Sequence, residues 1–416
     1  MRGQFHLMRI FPLAAIAAIG LLTGTAVEAK KKIVVAGPPI AMSDSFRAEA
    51  EAATAAIKAR DAASAGTRIG MLSPTNDFES YIVAALRFEL AMLRGDMQAE
   101  RIALTDMFKT TSVPAKDAPR LRYVAGYLSF RVGNYDDATA QLDYAKTLGY
   151  TGIDATLLRA DIALRRNKQK DARAYVQQAL AQQRATGQPV PIAWLDRAIS
   201  MAYQANDWQE VGQLYRERLA QTSTAEEWRS ALTNYLASSG MDTQLQLDLY
   251  RLQAANGAMA SERDYQAYAQ LAEKAGYPAE TKAIIEAGRK VGKLTPTQAA
   301  TSQLLKTVTP KVTKALAALP AQAKKAEAAS TGKDAASVGD DYFSLAQYPQ
   351  AVEQYRLALS KGGVDADRTN ARLGVALARS GDMDGAKAAL AQVGGNWANV
   401  AGFWQIWVDH QSRKSA

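Results

Sequence analysis

The chain contains no cysteine, and its only histidines are His6 and His410. Without thiols there is no disulfide, no thiolate nucleophile and no lipid attachment through cysteine, so the fold must hold by packing alone. With histidine this scarce, histidine-based metal sites and Ser-His or Cys-His triads lack their parts. His410, near the C-terminus, is expected on the solvated surface. A phosphate-cradling glycine loop is also missing: Gly362-Gly363 and Gly394-Gly395 fall where helices should end. Asp382-Met383-Asp384-Gly385 faintly resembles a calcium loop but lacks the later ligands and the bidentate glutamate, and is expected to be an inter-helix turn. The acidic pairs Asp136-Asp137, Glu226-Glu227 and Asp340-Asp341 have the composition of acid–base carboxylates. The first two are expected to open helices, where the dipole favours negative charge by about 0.3–1 kcal/mol each. These absences point away from an enzyme, and no catalytic, cofactor-binding or metal-binding residue is assigned.

Long apolar runs are scarce too. Arg2 and Arg9 flank a start that leads into the stretch Ile10 to Leu22, followed by Val27 and Ala29 as small residues before a cleavage point. A run of about thirteen residues is too short to span a bilayer, where about 20 are needed. It matches an export signal, expected at 1–29 with cleavage after Ala29, whether translation starts at Met1 or Met8. The expected destination is therefore periplasmic or secreted, with no membrane span after cleavage. Removing two arginines and one glutamate from 50 basic and 41 acidic residues leaves 48 minus 40, a mature charge of +8. In an exported protein that balance favours an anionic envelope surface over nucleic acid as a partner, although basic and acidic residues are interspersed as on an ordinary soluble surface.

What is present is helix-forming residue in quantity, rich in Ala, Leu and Gln with few β-branched runs. Leu121, Val124, Ala125, Leu128 and Val132 recur at steps of three and four. After Gly133-Asn134-Tyr135, so do Ala138, Leu142, Ala145 and Leu148. Each set occupies one helical face, and the glycine supplies the left-handed backbone of a tight reversal. The same arrangement recurs with turns starting at 95, 133, 167, 206, 240 and 276, at intervals of 38, 34, 39, 34 and 36. Such self-similarity is the signature of a helical-hairpin array. Near the C-terminus, Asp341 to Leu359 and Ala371 to Leu390 repeat it.

These units resemble tetratricopeptide repeats. The residues that carry the resemblance are Gly126, Gly133-Asn134-Tyr135, Ala138, Leu142 and Ala145; Gly339, Tyr342, Tyr348, Ala351, Tyr355 and Ala358; and Gly374, Gly381-Asp382 and Ala386. The resemblance covers about two-thirds of the mature chain. It departs from the family where Leu or Val replaces the aromatic and where the closing proline is missing. It implies an all-α fold, a right-handed α-solenoid of helical hairpins. The expected organisation is a lead-in at 30–42, an N-terminal array at 43–292, a degenerate segment and hinge at 293–335, C-terminal repeats at 336–395, and a capping helix and tail at 396–416. Within the degenerate segment, Thr309-Pro310 is expected to start a fresh helix, and residues 321–335 to form the hinge.

The family's first helices line a concave groove for an extended or helical peptide. Carried onto this chain, the groove-facing residues are Tyr123, Tyr127, Arg131, Asp161, Arg165, Tyr203, Asn234 and Gln270. The resulting expectation is a non-enzymatic envelope scaffold that binds a protein or peptide partner and carries no cofactor. The alternative is an envelope polymer or glycan binder using surface Trp and Tyr, with Trp397, Phe403, Trp404 and Trp407 on the last helix as its strip. Lys306, Lys311, Lys314, Lys324 and Lys325 add a basic face suited to an anionic membrane or to plain solvent.

Overall fold

The computed structural model describes residues 42–238 and 241–415. The export signal, the lead-in up to residue 41 and Gly240 of the fifth turn lie outside the described residues. All elements among the described residues are helical. The chain separates into two compact units between Pro189 and Val190. The segment 293–335, expected to hold the hinge, falls within the second of these units. Locally, Gly187 at φ +73° ends the preceding helix, and Pro191 stands at the N-cap of the next, which begins at Ile192.

The first unit holds α1 (Asp44–Lys58), α2 (Ala62–Met71), α3 (Asp77–Arg94), α4 (Met97–Phe108), α5 (Ala118–Arg131), α6 (Tyr135–Thr147), α7 (Ile153–Arg165) and α8 (Gln169–Ala185). Ser43 and Asp61 cap α1 and α2 with their side chains. From α3 onward the helices pair as hairpins. Gly95, Gly133 and Asn167 take the left-handed conformation at the three reversals. Asp96 and Asn134, next in sequence, accept from the backbone of the helix that follows. One residue thus stops the first helix and its neighbour starts the second.

The second unit holds α9 (Ile192–Gln204), α10 (Trp208–Gln221), α11 (Ala225–Leu236), α12 (Thr243–Ala255), α13 (Glu262–Lys274), α14 (Pro278–Lys290), α15 (Ala299–Ala328), α16 (Lys333–Ser344), α17 (Tyr348–Lys361), α18 (Ala366–Arg379), α19 (Met383–Leu390) and α20 (Ala398–Ser415). Asn206, Gly276, Ala346 and Gly381 take the left-handed conformation at hairpin reversals here. Where the following position lacks a side-chain cap, at Tyr277 and Gln347, a proline in the first turn supplies the preset φ. The resemblance also holds in the packing of facing helices. A β-carbon on Gly126 would lie 3.1 Å from the Ala138 carbonyl, one on Gly339 2.8 Å from the Tyr355 ring, and one on Gly374 2.6 Å from Leu390 Cγ. Small residues on the first helix receive the second one closely.

Two features depart from the expectation. Residues 299–328 form one helix with Pro310 and Pro320 inside it, so Thr309-Pro310 does not begin a new one. The Ala, Leu and Lys that surround these prolines are strong helix formers, and the helix is held on both sides by α14 and α16. The 321–335 segment is clamped, because Lys361 Nζ donates to the carbonyls of Ala326, Glu327 and Ala329 at 3.0, 2.6 and 2.6 Å. Those are the acceptors a helix leaves open at its C-terminus.

The last helix, α20, packs back on α10, α12 and α18. Phe403 is fully buried with its ring edge-on to Tyr235 at 5.4 Å, and Arg216 donates to Asn399 Oδ1 at 2.5 Å. His410 is part of this closure: its Nε2 lies 2.9 Å from the Leu219 carbonyl. The expectation of a solvated histidine is therefore corrected, because an amphipathic helix returning over α10 brings the imidazole onto an open carbonyl.

Candidate functional site

Five of the eight predicted groove residues lie in the first unit and three in the second. Tyr123 is buried and stacks on Tyr150 at 5.0 Å, so it belongs to the packing between hairpins. Burial, with Asp154 beside it, pushes its hydroxyl far above the ordinary phenol value. Asn234 donates to the Tyr215 hydroxyl at 2.7 Å and ties α11 to α10. Tyr203 is 39% exposed and sits edge-on to Trp208, and Gln270 is exposed. Asp161 is half-buried and already engaged by other groups.

Tyr127, Arg131 and Arg165 remain accessible. Arg131 is one turn beyond Tyr127 on α5. Its Nη1 donates to the Tyr127 hydroxyl at 2.8 Å and its guanidinium carbon lies 5.7 Å from the ring centroid. Arg165 occupies the position of Arg131 one hairpin later, two residues before the left-handed turn, and α5 packs on α7. Two exposed guanidinium groups thus project from adjacent first helices, one of them held in place by a tyrosine.

The densest ionisable cluster was not predicted, and it lies inside the second unit. Arg251 on α12 makes a two-pronged contact with Glu280 on α14, Nε to Oε1 at 2.8 Å and Nη2 to Oε2 at 2.7 Å. Its Nη1 reaches Asp248 at 2.9 Å. Arg372 on α18 contacts Asp340 on α16 at 2.5 Å, Asp248 at 3.6 Å and the side-chain Oε1 of Gln244 at 2.5 Å. Asp340 also accepts from Arg368 at 2.8 Å and from the hydroxyls of Tyr277 and Tyr355 at 3.0 and 2.8 Å. The Tyr268 hydroxyl donates to Glu280 at 2.6 Å.

Both Arg251 and Arg372 are almost wholly buried. Burial alone would favour their neutral forms, but Glu280, Asp340 and Asp248 reverse this and hold both guanidiniums charged. Burial likewise disfavours charge on Asp340, yet Arg372 and Arg368 outweigh it and keep the carboxyl below its usual value. Asp341 next door goes the other way, raised by burial and by Asp340. A paired, saturated carboxylate such as Asp340 is a poor proton donor or acceptor.

This network has a cavity on each side. A polar one of about 460 Å³ is bounded by Tyr277, Lys333, Asp341, Asp365 and Arg368. A more apolar one of about 290 Å³ lies against Ala254, Ile284, Phe343, Tyr348, Arg379 and Trp404. The proposed aromatic strip is not on the surface: Trp397, Phe403, Trp404 and Trp407 are 7, 0, 2 and 6% exposed. The glycan-binding alternative thereby loses those residues, since α20 must bury its apolar face against α10 and α18. Lys306, Lys311, Lys314, Lys324 and Lys325 do lie exposed on α15. Lys311 approaches Glu273 at 3.8 Å and Lys325 approaches Asp334 at 3.7 Å. Among the described residues, no helix is long and apolar enough to cross a membrane.

No family model and no curated protein matches the chain. Among solved structures, it is similar to a tetratricopeptide repeat protein from Parabacteroides merdae at 14% identity and a TM-score of 0.33, with 72% of this chain and 99% of that one covered. It is also similar to PilF from Pseudomonas aeruginosa at 14% identity and a TM-score of 0.22, covering 72% and 100%. Cut9, in the APC/C Cut9–Hcn1 structure, aligns at 12% identity and a TM-score of 0.25, covering 89% of this chain and 84% of that one. At those scores the matches add nothing about site or partner. The left-handed turns and the close approaches at Gly126, Gly339 and Gly374 carry the conclusion instead: this is an all-α helical-repeat protein built of tetratricopeptide-like hairpins.

Proposed function

We propose that the chain is a non-catalytic interaction scaffold of the cell envelope, exported by its N-terminal segment, whose α5–α7 face holds a segment of a protein partner. The observation that carries this reading is the pair Arg131 and Arg165, exposed at equivalent positions on neighbouring first helices, with Arg131 fixed by the Tyr127 hydroxyl at 2.8 Å. Arginine and tyrosine dominate interface energies, and a guanidinium held in one geometry loses less entropy on binding. Two such groups suit carboxylates on the bound segment. The lysines of α15, with Lys306, Lys314 and Lys324 exposed to solvent, support a secondary contact with anionic envelope material.

The test is capture from an envelope extract with the mature chain as bait. Wild type is expected to enrich at least one protein that the Arg131→Ala/Arg165→Ala double variant loses. Enrichment of none, or equal capture by the variant with its helicity intact, contradicts the assignment.

A further inference from the structure

The smaller cavity of the second unit has an uneven balance of donors and acceptors. The charged groups in its floor are already matched: Arg251 is paired with Glu280 and Asp248, and Tyr268 donates to Glu280. Ser344 is satisfied by the Asp341 carbonyl at 2.8 Å. Two lining N–H groups are left over. Trp404 is 2% exposed and its Nε1 has no hydrogen-bond partner. Arg379, at the C-terminal end of α18, is exposed and has no carboxylate partner among the described residues. Its guanidinium carbon stands 5.4 Å from the Tyr348 ring centroid. The rest of the wall is apolar, with Ala254, Ala283, Ile284, Phe343 and Val375 around the opening.

We propose that this cavity binds a small apolar carboxylate, its hydrocarbon body against Ile284, Phe343 and Trp404 and its anionic end at Arg379. The arrangement is the usual one for a small-molecule site, an apolar hollow with a few polar groups that fix orientation. A cationic ligand is disfavoured, because the only unmatched charge at the rim is positive. The inference is independent of the partner-holding face of the first unit.

The experiment uses the mature chain, with sodium octanoate as probe, and follows tryptophan fluorescence with calorimetry as a second readout. Saturable binding of octanoate is expected, with octanol and acetate each binding more weakly because each lacks one half of the match. Arg379→Gln, a surface change that leaves the core intact, should weaken octanoate by about tenfold, the loss of one charge-assisted contact, and leave octanol unchanged. Ala283→Leu, which occupies the mouth, should weaken both. The proposal is overturned if wild type gives no saturable response, if octanol matches octanoate, or if Arg379→Gln binds as wild type does.

Discussion

In the first unit, helices make their substantial contacts with partners one or two places away in the chain. In the second, α20 returns across nearly two hundred residues to pack on α10, and Arg372 reaches back to Gln244. The same hairpin, repeated, therefore serves two designs. A linear array is stable roughly as a sum of repeat and nearest-neighbour terms, so damage stays local. A closed one shares its stability, because a fault in the last helix removes support from the second helix of the unit. Closure also determines what fills the interior. The first unit leaves Arg131 and Arg165 facing solvent, whereas the second fills its interior with Asp248, Arg251, Glu280, Asp340 and Arg372.

The contrast can be tested by breaking each design, and the network gives the largest effect. Arg372→Met leaves Asp340 and Asp248 short of a cation in a buried place, which costs about 3–5 kcal/mol. Differential hydrogen exchange should find lost protection throughout α12–α18 and none in α3–α8. Next come matched glycines. Gly374→Ala forces a β-carbon to 2.6 Å from Leu390 and should cost about 1–3 kcal/mol across the second unit. Gly126→Ala meets the Ala138 carbonyl at 3.1 Å and the Leu142 side chain at 3.2 Å, both looser than the Leu390 contact. It should cost less, with the loss confined to α5 and its neighbours.

Acid separates the units further. The Asp340 carboxyl is depressed in the folded state, so its contribution is complete above the unfolded value of about 4 and is lost as pH falls through the folded value. The stability gap between wild type and Asp340→Asn should therefore close on acidification, as followed by urea unfolding at stepped pH. Glu89 in the first unit has the opposite sign. Burial raises its carboxyl despite Lys58, and its Oε1 has no partner. Its cost is absent below about pH 4 and grows as pH rises to the folded value. Glu89→Gln should slightly stabilise the first unit at pH 7 and leave it unchanged at pH 3, the smallest effect of the set.

The hairpins were readable in the sequence because each is written locally. Gly133 with Asn134, or Gly381 with Asp382, marks a stop and a start within two residues, and Gly126 with Ala138 marks the close approach. Closure has no such local mark. Tyr277 and Arg372 are 95 residues apart, and nothing in the repeat period announces that they meet. A faint signal existed in Asp248, Arg251 and Arg372, charges set within the apolar runs Leu245–Leu252 and Ala371–Leu377. A charge on a core-facing stripe is a request for a partner. The proline at 310 misled for a related reason: position-one proline and mid-helix proline look alike until the neighbouring helices are in place.

Closure of the second unit is tested most directly by hydrogen exchange on the full chain carrying Phe403→Ala, a fully buried ring on α20 whose removal costs about 3–5 kcal/mol. The account predicts that amides of α10 and α12 lose protection together with those of α20, while α3–α8 stay unchanged. Faster exchange in α19 and α20 alone, with α10 protected as in wild type, would contradict it.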